Sequence, residues 1–316
     1  MANASLEYEN PDQPSSGNAK TWKEKARRLV TVYWVLVVLS LIWGMAFVAI
    51  KAVESDLSPV NIALLRWLLA SLGFAVLAPF LGRLKTRFER KDAPRFILVS
   101  FASVVAYNLS LNYSESGISA GMAVLLVSLG PVFVLILSRF ILREKLGRDM
   151  IVILILAFSG AAVLAFGANY ASGSNSLPGI LEAIGAALSF SIFAVFSKPL
   201  VQKYGAMPVT IWVGLLGTAM LLPLFSQGFI TQVASLSLFG WLAILYLSIL
   251  STVIGYTMFY TLVNRGMVSR LSIQLYLIPV VGVVGGILLL GESITLFTVA
   301  GGISVLLAVG ISTRNR

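Results

Sequence analysis

LGPVFVLILSRFILREKL (residues 129–146) and LIPVVGVVGGILLLGESI (277–294) each hold a proline and a glutamate thirteen residues apart. The pairs are Pro131 with Glu144 and Pro279 with Glu292, at an offset of 148. The match extends outward with small slips. Tyr107 aligns with Tyr256, Gly117 with Gly266 and Pro59 with Pro208, each at an offset of 149. An internal repeat of this length means that the chain is built from two related halves, and it constrains the fold before local detail does.

The 316 residues are 58% apolar and 11% charged, with mean hydropathy +0.92. A soluble domain carries about 25% charged residues. A single soluble core cannot use this much apolar surface, so the chain is expected to cross a membrane many times. It has no cysteine and no histidine. That removes disulfides, thiol chemistry, the usual zinc and haem ligand sets and a histidine proton relay. There is no Walker motif, no HExxH and no hydrolase elbow. The expectation is a protein that is not an enzyme and uses no cofactor or metal.

Residues 1–20 (MANASLEYENPDQPSSGNAK) are polar and rich in Pro, Ser and Asn, the composition of an irregular segment. They lack the apolar stretch of a signal peptide. Residues 21–32 (TWKEKARRLVTV) form a basic lead-in to the first apolar run, either solvated or lying on the inner leaflet.

A spanning helix needs about 20 mostly apolar residues. Ten such runs are read at 33–53, 60–81, 95–113, 118–141, 150–168, 178–199, 208–226, 239–264, 270–290 and 295–312. The breaks between them carry turn chemistry, as at Ser58-Pro59, Ala93-Pro94 and Met207-Pro208. All 23 Lys and Arg except Lys51 and Arg66 then fall in the N-terminal segment, in alternate loops or at the C-terminus. Basic residues stay cytoplasmic, which puts both termini inside. The net charge of +10 is thus a topology signal rather than a nucleic-acid surface. The expected fold is an all-α membrane protein of ten transmembrane helices, as two five-helix inverted repeats at 33–168 and 178–312. Inverted repeats of this kind are a transporter architecture.

Further stretches repeat between the halves or mark their start. They are IWGMAFVAIKAV (42–53), SPVNIALLRW (58–67), YNLSLNYSESGISAGMAVLLVSLGPVFVLILSRFILREKLG (107–147) and GYTMFYTLVNRGMVSRLSIQLYLIPVVGVVGGILLLGESI (255–294). In order and spacing these resemble the drug/metabolite transporter superfamily, in its ten-helix form with two EamA-like domains. The resemblance implies a secondary transporter, resident in the inner (plasma) membrane, with a central cavity between spans three, four, eight and nine. It implies export of amino acids, metabolites or drugs; some relatives exchange sugar phosphates or nucleotide sugars. The second half departs from the pattern where Trp43-Gly44 is replaced by Phe190-Ser191.

Candidate residues follow from polarity at membrane depth. Pro131 and Pro279, read as lying inside helices, each free a carbonyl four residues back and are candidate hinges. Glu144 and Glu292 lie at helix ends shortly before a new helix, where a carboxylate caps free N–H groups or forms a gating ion pair. Lys51, Arg66 and Glu182 are the charges at membrane depth. Lys51 and Arg66 either pair with the acids Glu54, Asp56 and Glu115 or attract a substrate anion. Glu182 is either the proton-coupling group or a carboxylate solvated near the outer surface. Trp43, Tyr107, Asn108, Asn112, Tyr256, Tyr260, Gln274 and Tyr276 supply aromatic and amide groups suited to an amphipathic ligand, or to helix packing. The expected partners are a small-molecule substrate and the lipid bilayer, with no nucleic acid and with a homodimer left open. The leading expectation is export of a small metabolite, amino acids first. The alternatives are sugar-phosphate or organic-anion exchange, and a non-transporting receptor or channel-like subunit.

Overall fold

A computed structural model describes residues 16–77, 89–141, 149–172, 176–264 and 272–314, and among these every regular element is helical. α1 (Ser16–Val53) begins within the segment whose composition reads as irregular, so the basic lead-in and the first apolar run form one helix. α2 (Pro59–Leu77) starts on a proline, whose fixed φ suits a first helical turn. α3 (Ala93–Ser100) and α4 (Tyr107–Gly117) are joined by a π-helical segment, Phe101–Ala106, into one rod. α5 (Ala120–Val127), α6 (Gly130–Ile141) and α7 (Asp149–Ser172) complete the first copy of the repeat.

The second copy holds α8 (Leu177–Tyr204), α9 (Ala206–Leu221) and the short α10 (Gln227–Ala234). A second rod follows: α11 (Leu238–Leu245), a π-helical segment Tyr246–Ile254, and α12 (Gly255–Asn264). α13 (Ser272–Leu290) and α14 (Leu296–Arg314) end the chain.

Seven described stretches are long and apolar enough to cross a membrane: Trp34–Val53, Pro59–Val76, Arg90–Gly117, Ala120–Leu137, Leu177–Tyr204, Ala206–Leu224 and Leu238–Phe259. Shorter apolar helices lie at Ile151–Gly167, Leu277–Leu290 and Leu296–Ile311. Leu288, Leu289, Leu296 and Phe239 stand exposed, while Arg66, Asn108, Asn112, Glu115 and Thr252 are buried. Apolar groups outside and polar groups inside suit a molecule whose surroundings are hydrocarbon.

The run read as one span over 118–141 holds one candidate span, Ala120–Leu137, which a turn divides into two helices. α5 ends at Val127 and α6 begins at Gly130, with a turn at Ser128–Leu129. Pro131 is therefore not inside a helix but the second residue of one, where its missing N–H costs nothing. Pro279 does lie inside α13.

The two copies cross over one another. A Cβ on Gly44 of α1 would come within 2.8 Å of the Ile278 carbonyl, just before Pro279. On α8, Ser191 occupies the place of Gly44, and its hydroxyl donates at 2.8 Å to the Gly130 carbonyl, just before Pro131. The first helix of each copy thus abuts the same carbonyl in the other copy. The Phe190-Ser191 departure preserves this contact by a different chemistry.

Candidate functional site

Arg66 is set seven residues into α2 and is 5% exposed. Its Nε donates to Thr252 Oγ1 at 2.9 Å and its Nη2 to Ser251 Oγ at 3.3 Å. Both hydroxyls come from the π-helical segment of the second copy, and Thr252 itself donates to the Leu247 carbonyl. π-segments within helices recur at functional sites. Among the described residues Arg66 makes no ion pair with an acid. A buried guanidinium held only by hydroxyls keeps N–H groups and a full charge available to an anion.

An aromatic cluster lies near it. Trp43 meets Tyr256 edge-on at 5.8 Å between centroids, and Trp67 meets Tyr256 at 6.2 Å. The Trp43 indole donates to the Ser251 carbonyl at 3.0 Å, and the Tyr246 hydroxyl to the Ile42 carbonyl at 2.8 Å. Gly255 leaves room for this, since a Cβ there would come within 2.6 Å of Trp43 Nε1. In the mirrored position Tyr107 meets Phe190 at 6.1 Å. Trp43 with Tyr256 and Phe190 with Tyr107 are therefore equivalent ring pairs, each formed between copies. Tyr107, Tyr246, Tyr256 and Glu115 all lie within electrostatic reach of Arg66.

The structure thus brings Trp43, Arg66, Tyr107 and Tyr256 together. Asn108 and Asn112 are buried on α4, bonded through their amide nitrogens to main-chain carbonyls. Lys51 lies apart, at the end of α1, where it pairs with Glu54 at 3.0 Å and donates to the Glu115 carbonyl. Glu182, half-buried near the start of α8, has no ion-pair partner among the described residues. Tyr260, Gln274 and Tyr276 lie on described helices, but their side chains are outside the described set, and Glu144 is outside the described residues. Ser251, Thr252, Trp67 and Tyr246 complete the cluster and were not legible as site residues. Their only signal was polarity or aromaticity in an apolar run.

Contacts between the copies close both ends of the bundle. Gly291, at φ +66°, ends α13 in the left-handed region. The following Glu292 accepts from Ala120 N–H at 2.7 Å and Gly121 N–H at 3.0 Å. The helix it caps is not α14, which follows it, but α5 of the other copy. A cleft of about 340 Å³ adjoins this cap, lined by Ser119, Met122, Ser176 and Glu292 among others. At the opposite end Lys203 of α8 bridges Glu89 at 2.8 Å and Asp92 at 2.6 Å. The Lys203 and Lys91 ammonium groups hold the Glu89 carboxyl below the usual carboxylate range.

Glu292→Ala removes the carboxylate cap from two main-chain donors of α5, and loss of a helix cap costs roughly 0.5–2 kcal/mol. The expected result is a loss of about 2 kcal/mol of stability. It should be accompanied by faster solvent labelling of a cysteine introduced at Ser119. The chain has no native cysteine, so the labelling needs no background removal.

The model of the EamA-like transporter family matches this chain twice, over residues 30–166 and 177–314. An "uncharacterized transporter" of Archaeoglobus fulgidus is 36% identical, covering 90% of this chain and 99% of its own. A "probable terminal-alkyne amino-acid exporter" of Streptantibioticus cattleyicolor is 30% identical over 84% of this chain and 87% of its own. A "probable amino-acid metabolite efflux pump" of Salmonella typhimurium is 26% identical over 86% and 91%. A crystal structure 14% identical in sequence superposes with a TM-score of 0.59, covering 90% of this chain and 98% of that one, and supports the fold. With that family model matching twice along its length, the chain belongs to the EamA-like transporter family of the drug/metabolite transporter superfamily.

Proposed function

We propose that this transporter is a secondary exporter of small amphipathic metabolites, amino acids first, working by alternating access. Ten spans in two inverted five-span copies, with both termini cytoplasmic, give it the required pseudo-symmetry. The copies rock so that the Arg66 cluster faces each side in turn, the Glu292 cap and the Lys203 bridges being released alternately.

The observation that carries this reading is Arg66: a buried cation without an acid partner among the described residues, held by the second copy, with the Trp67–Tyr256 ring pair nearby. Such a group binds a carboxylate, and the rings take an apolar side chain. The exporters and efflux pumps among the relatives support amino acids as the class. Phosphate recognition draws on several cations. At membrane depth the other one, Lys51, is engaged by Glu54, which favours a monocarboxylate over a sugar phosphate. The test is counterflow: protein in liposomes loaded with unlabelled amino acids should accumulate labelled ones. Absence of counterflow for every amino acid tested rejects the reading.

Glu182, half-buried near a helix end, reads as a solvated surface carboxylate. Glu182→Gln is expected to leave flux under an imposed pH gradient unchanged; loss of pH-driven flux would instead make it the coupling group.

A further inference from the structure

On α4 the residues Asn108, Asn112 and Glu115 are spaced four and three apart, which places them in one stripe along the helix. All three are at most 1% exposed. The amide nitrogens are committed: Asn108 Nδ2 donates to the Ser103 and Val104 carbonyls at 3.0 and 2.9 Å, and Asn112 Nδ2 to the Pro59 carbonyl at 2.9 Å. Because carbonyls can only accept, these bonds also fix which way each amide faces. What is left over is of one kind. Oδ1 of both asparagines and both carboxylate oxygens of Glu115 have no hydrogen-bond partner among the described residues. The stripe is therefore a row of buried acceptors lacking donors.

The facing helix has the opposite character. α2 packs against α4. It carries Arg66, whose Nη1 makes no hydrogen bond among the described residues, and Trp67, whose buried indole N–H has no partner among them. Arg66 and Glu115 feel each other's charge without forming an ion pair. The indole N–H on α2 and the four acceptor oxygens on α4 are thus buried without partners among the described residues. Burying either kind is unfavourable, so the arrangement needs a ligand that complements both.

We propose that Asn112 and Glu115 form an ammonium-binding pole, with Asn108 one turn deeper on the same stripe, so that the α2–α4 seam takes a zwitterion. A primary ammonium has three donors and no acceptor, the complement of this stripe. Its carboxylate goes to Arg66 and Trp67. The proposal deepens the transport reading and rests on it. The rival donor is Lys51, whose ammonium already reaches the Glu115 main-chain carbonyl and the Glu54 carboxylate.

The experiment measures ligand-induced thermal stabilisation of the purified chain with three probes: phenylalanine, its decarboxylated analogue phenethylamine and its deaminated analogue hydrocinnamate. The wild type should bind phenylalanine at least about tenfold more tightly than hydrocinnamate, as a charge-assisted bond to the ammonium requires. Glu115→Gln should abolish that preference, leaving hydrocinnamate binding intact and the ligand-free melting temperature no lower. Retention of the preference in Glu115→Gln overturns the proposal. So does an equal loss for all three probes, or the same loss of preference in Lys51→Met, which would assign Glu115 to a structural pair. If no probe stabilises the wild type, the transport reading fails and takes the ammonium pole with it; hydrocinnamate binding as well as phenylalanine rejects the pole alone.

Discussion

Replacing Arg66 by glutamine is expected to lower amino-acid counterflow by about a hundredfold or more while the protein keeps close to its full stability. The two halves of that statement have separate causes. Arg66 is a buried cation whose only described partners are the Thr252 and Ser251 hydroxyls. Burial of a charge without a countercharge is unfavourable, so neutralising it relieves strain. The glutamine amide still offers donors to the same hydroxyls. A ligand carboxylate seated on Arg66 loses far more. Truncating one member of a buried, hydrogen-bonded charge pair costs about 2–5 kcal/mol, and each 1.4 kcal/mol is about tenfold in affinity. Arg66→Lys should fail as well. A single ammonium cannot hold two hydroxyls of the 246–254 segment and a carboxylate in the geometry of a planar fork. Counterflow and circular-dichroism melting on the same preparations separate the alternatives. Flux within a few-fold of wild type, together with a lowered melting temperature, would make Arg66 a fastener between α2 and the π-helical segment, with no part in binding.

The all-helical, membrane-crossing character and the family were legible in the sequence because they rest on features that survive without an alignment. The proline–glutamate repeat needed only counting, and Arg66 and Trp43 stood out by depth and polarity. What stayed hidden is long-range or geometric. A helix that is apolar on every side has almost no amphipathic period, so periodicity could not say that Trp67 faces inward while Leu72 faces out. The π-helical turn that presents Ser251 and Thr252 has no distinctive composition. Glu292 was legible as a helix-end carboxylate, but its partner helix lies 171 residues or more away in sequence. Pro131 and Pro279 align in the repeat yet differ locally, since a turn at Ser128–Leu129 precedes only the first. Phe190-Ser191 looked like lost symmetry, whereas ring contact and carbonyl contact were both retained by other atoms.

Gly160→Leu is expected to destabilise the protein by about 3 kcal/mol or more, the upper range for forcing bulk into a close-packed contact. Gly160 of α7 and Gly301 of α14 face one another with their backbones touching. A Cβ on Gly160 would lie 2.9 Å from the Gly301 carbonyl and from the Val305 nitrogen, and one on Gly301 would lie 2.8 Å from the Gly160 carbonyl. Backbone atoms cannot move aside as a flexible side chain can. Small residues at helix contacts allow such an approach where lipid supplies no hydrophobic drive. Ser304 strengthens the seam with a 2.8 Å bond to the Leu156 carbonyl. Gly228 is the matched control, because a Cβ there meets only the Ser226 hydroxyl at 3.5 Å; Gly228→Ala should change stability by no more than about 0.5 kcal/mol. The seam joins the last helices of the two copies, and that gives the substitution a mechanistic meaning. If the copies rock about α7 and α14 as a fixed axis, Gly160→Leu must lose stability and flux together. Glu292→Ala, which loosens a contact made and broken in each cycle, should then raise the exposure of position 119 as well as lower the melting temperature. A Gly160→Leu protein that melts like the wild type but transports nothing would mean that the α7–α14 seam slides during transport, and the axis would have to be sought in the α1–α13 and α8–α6 crossings instead.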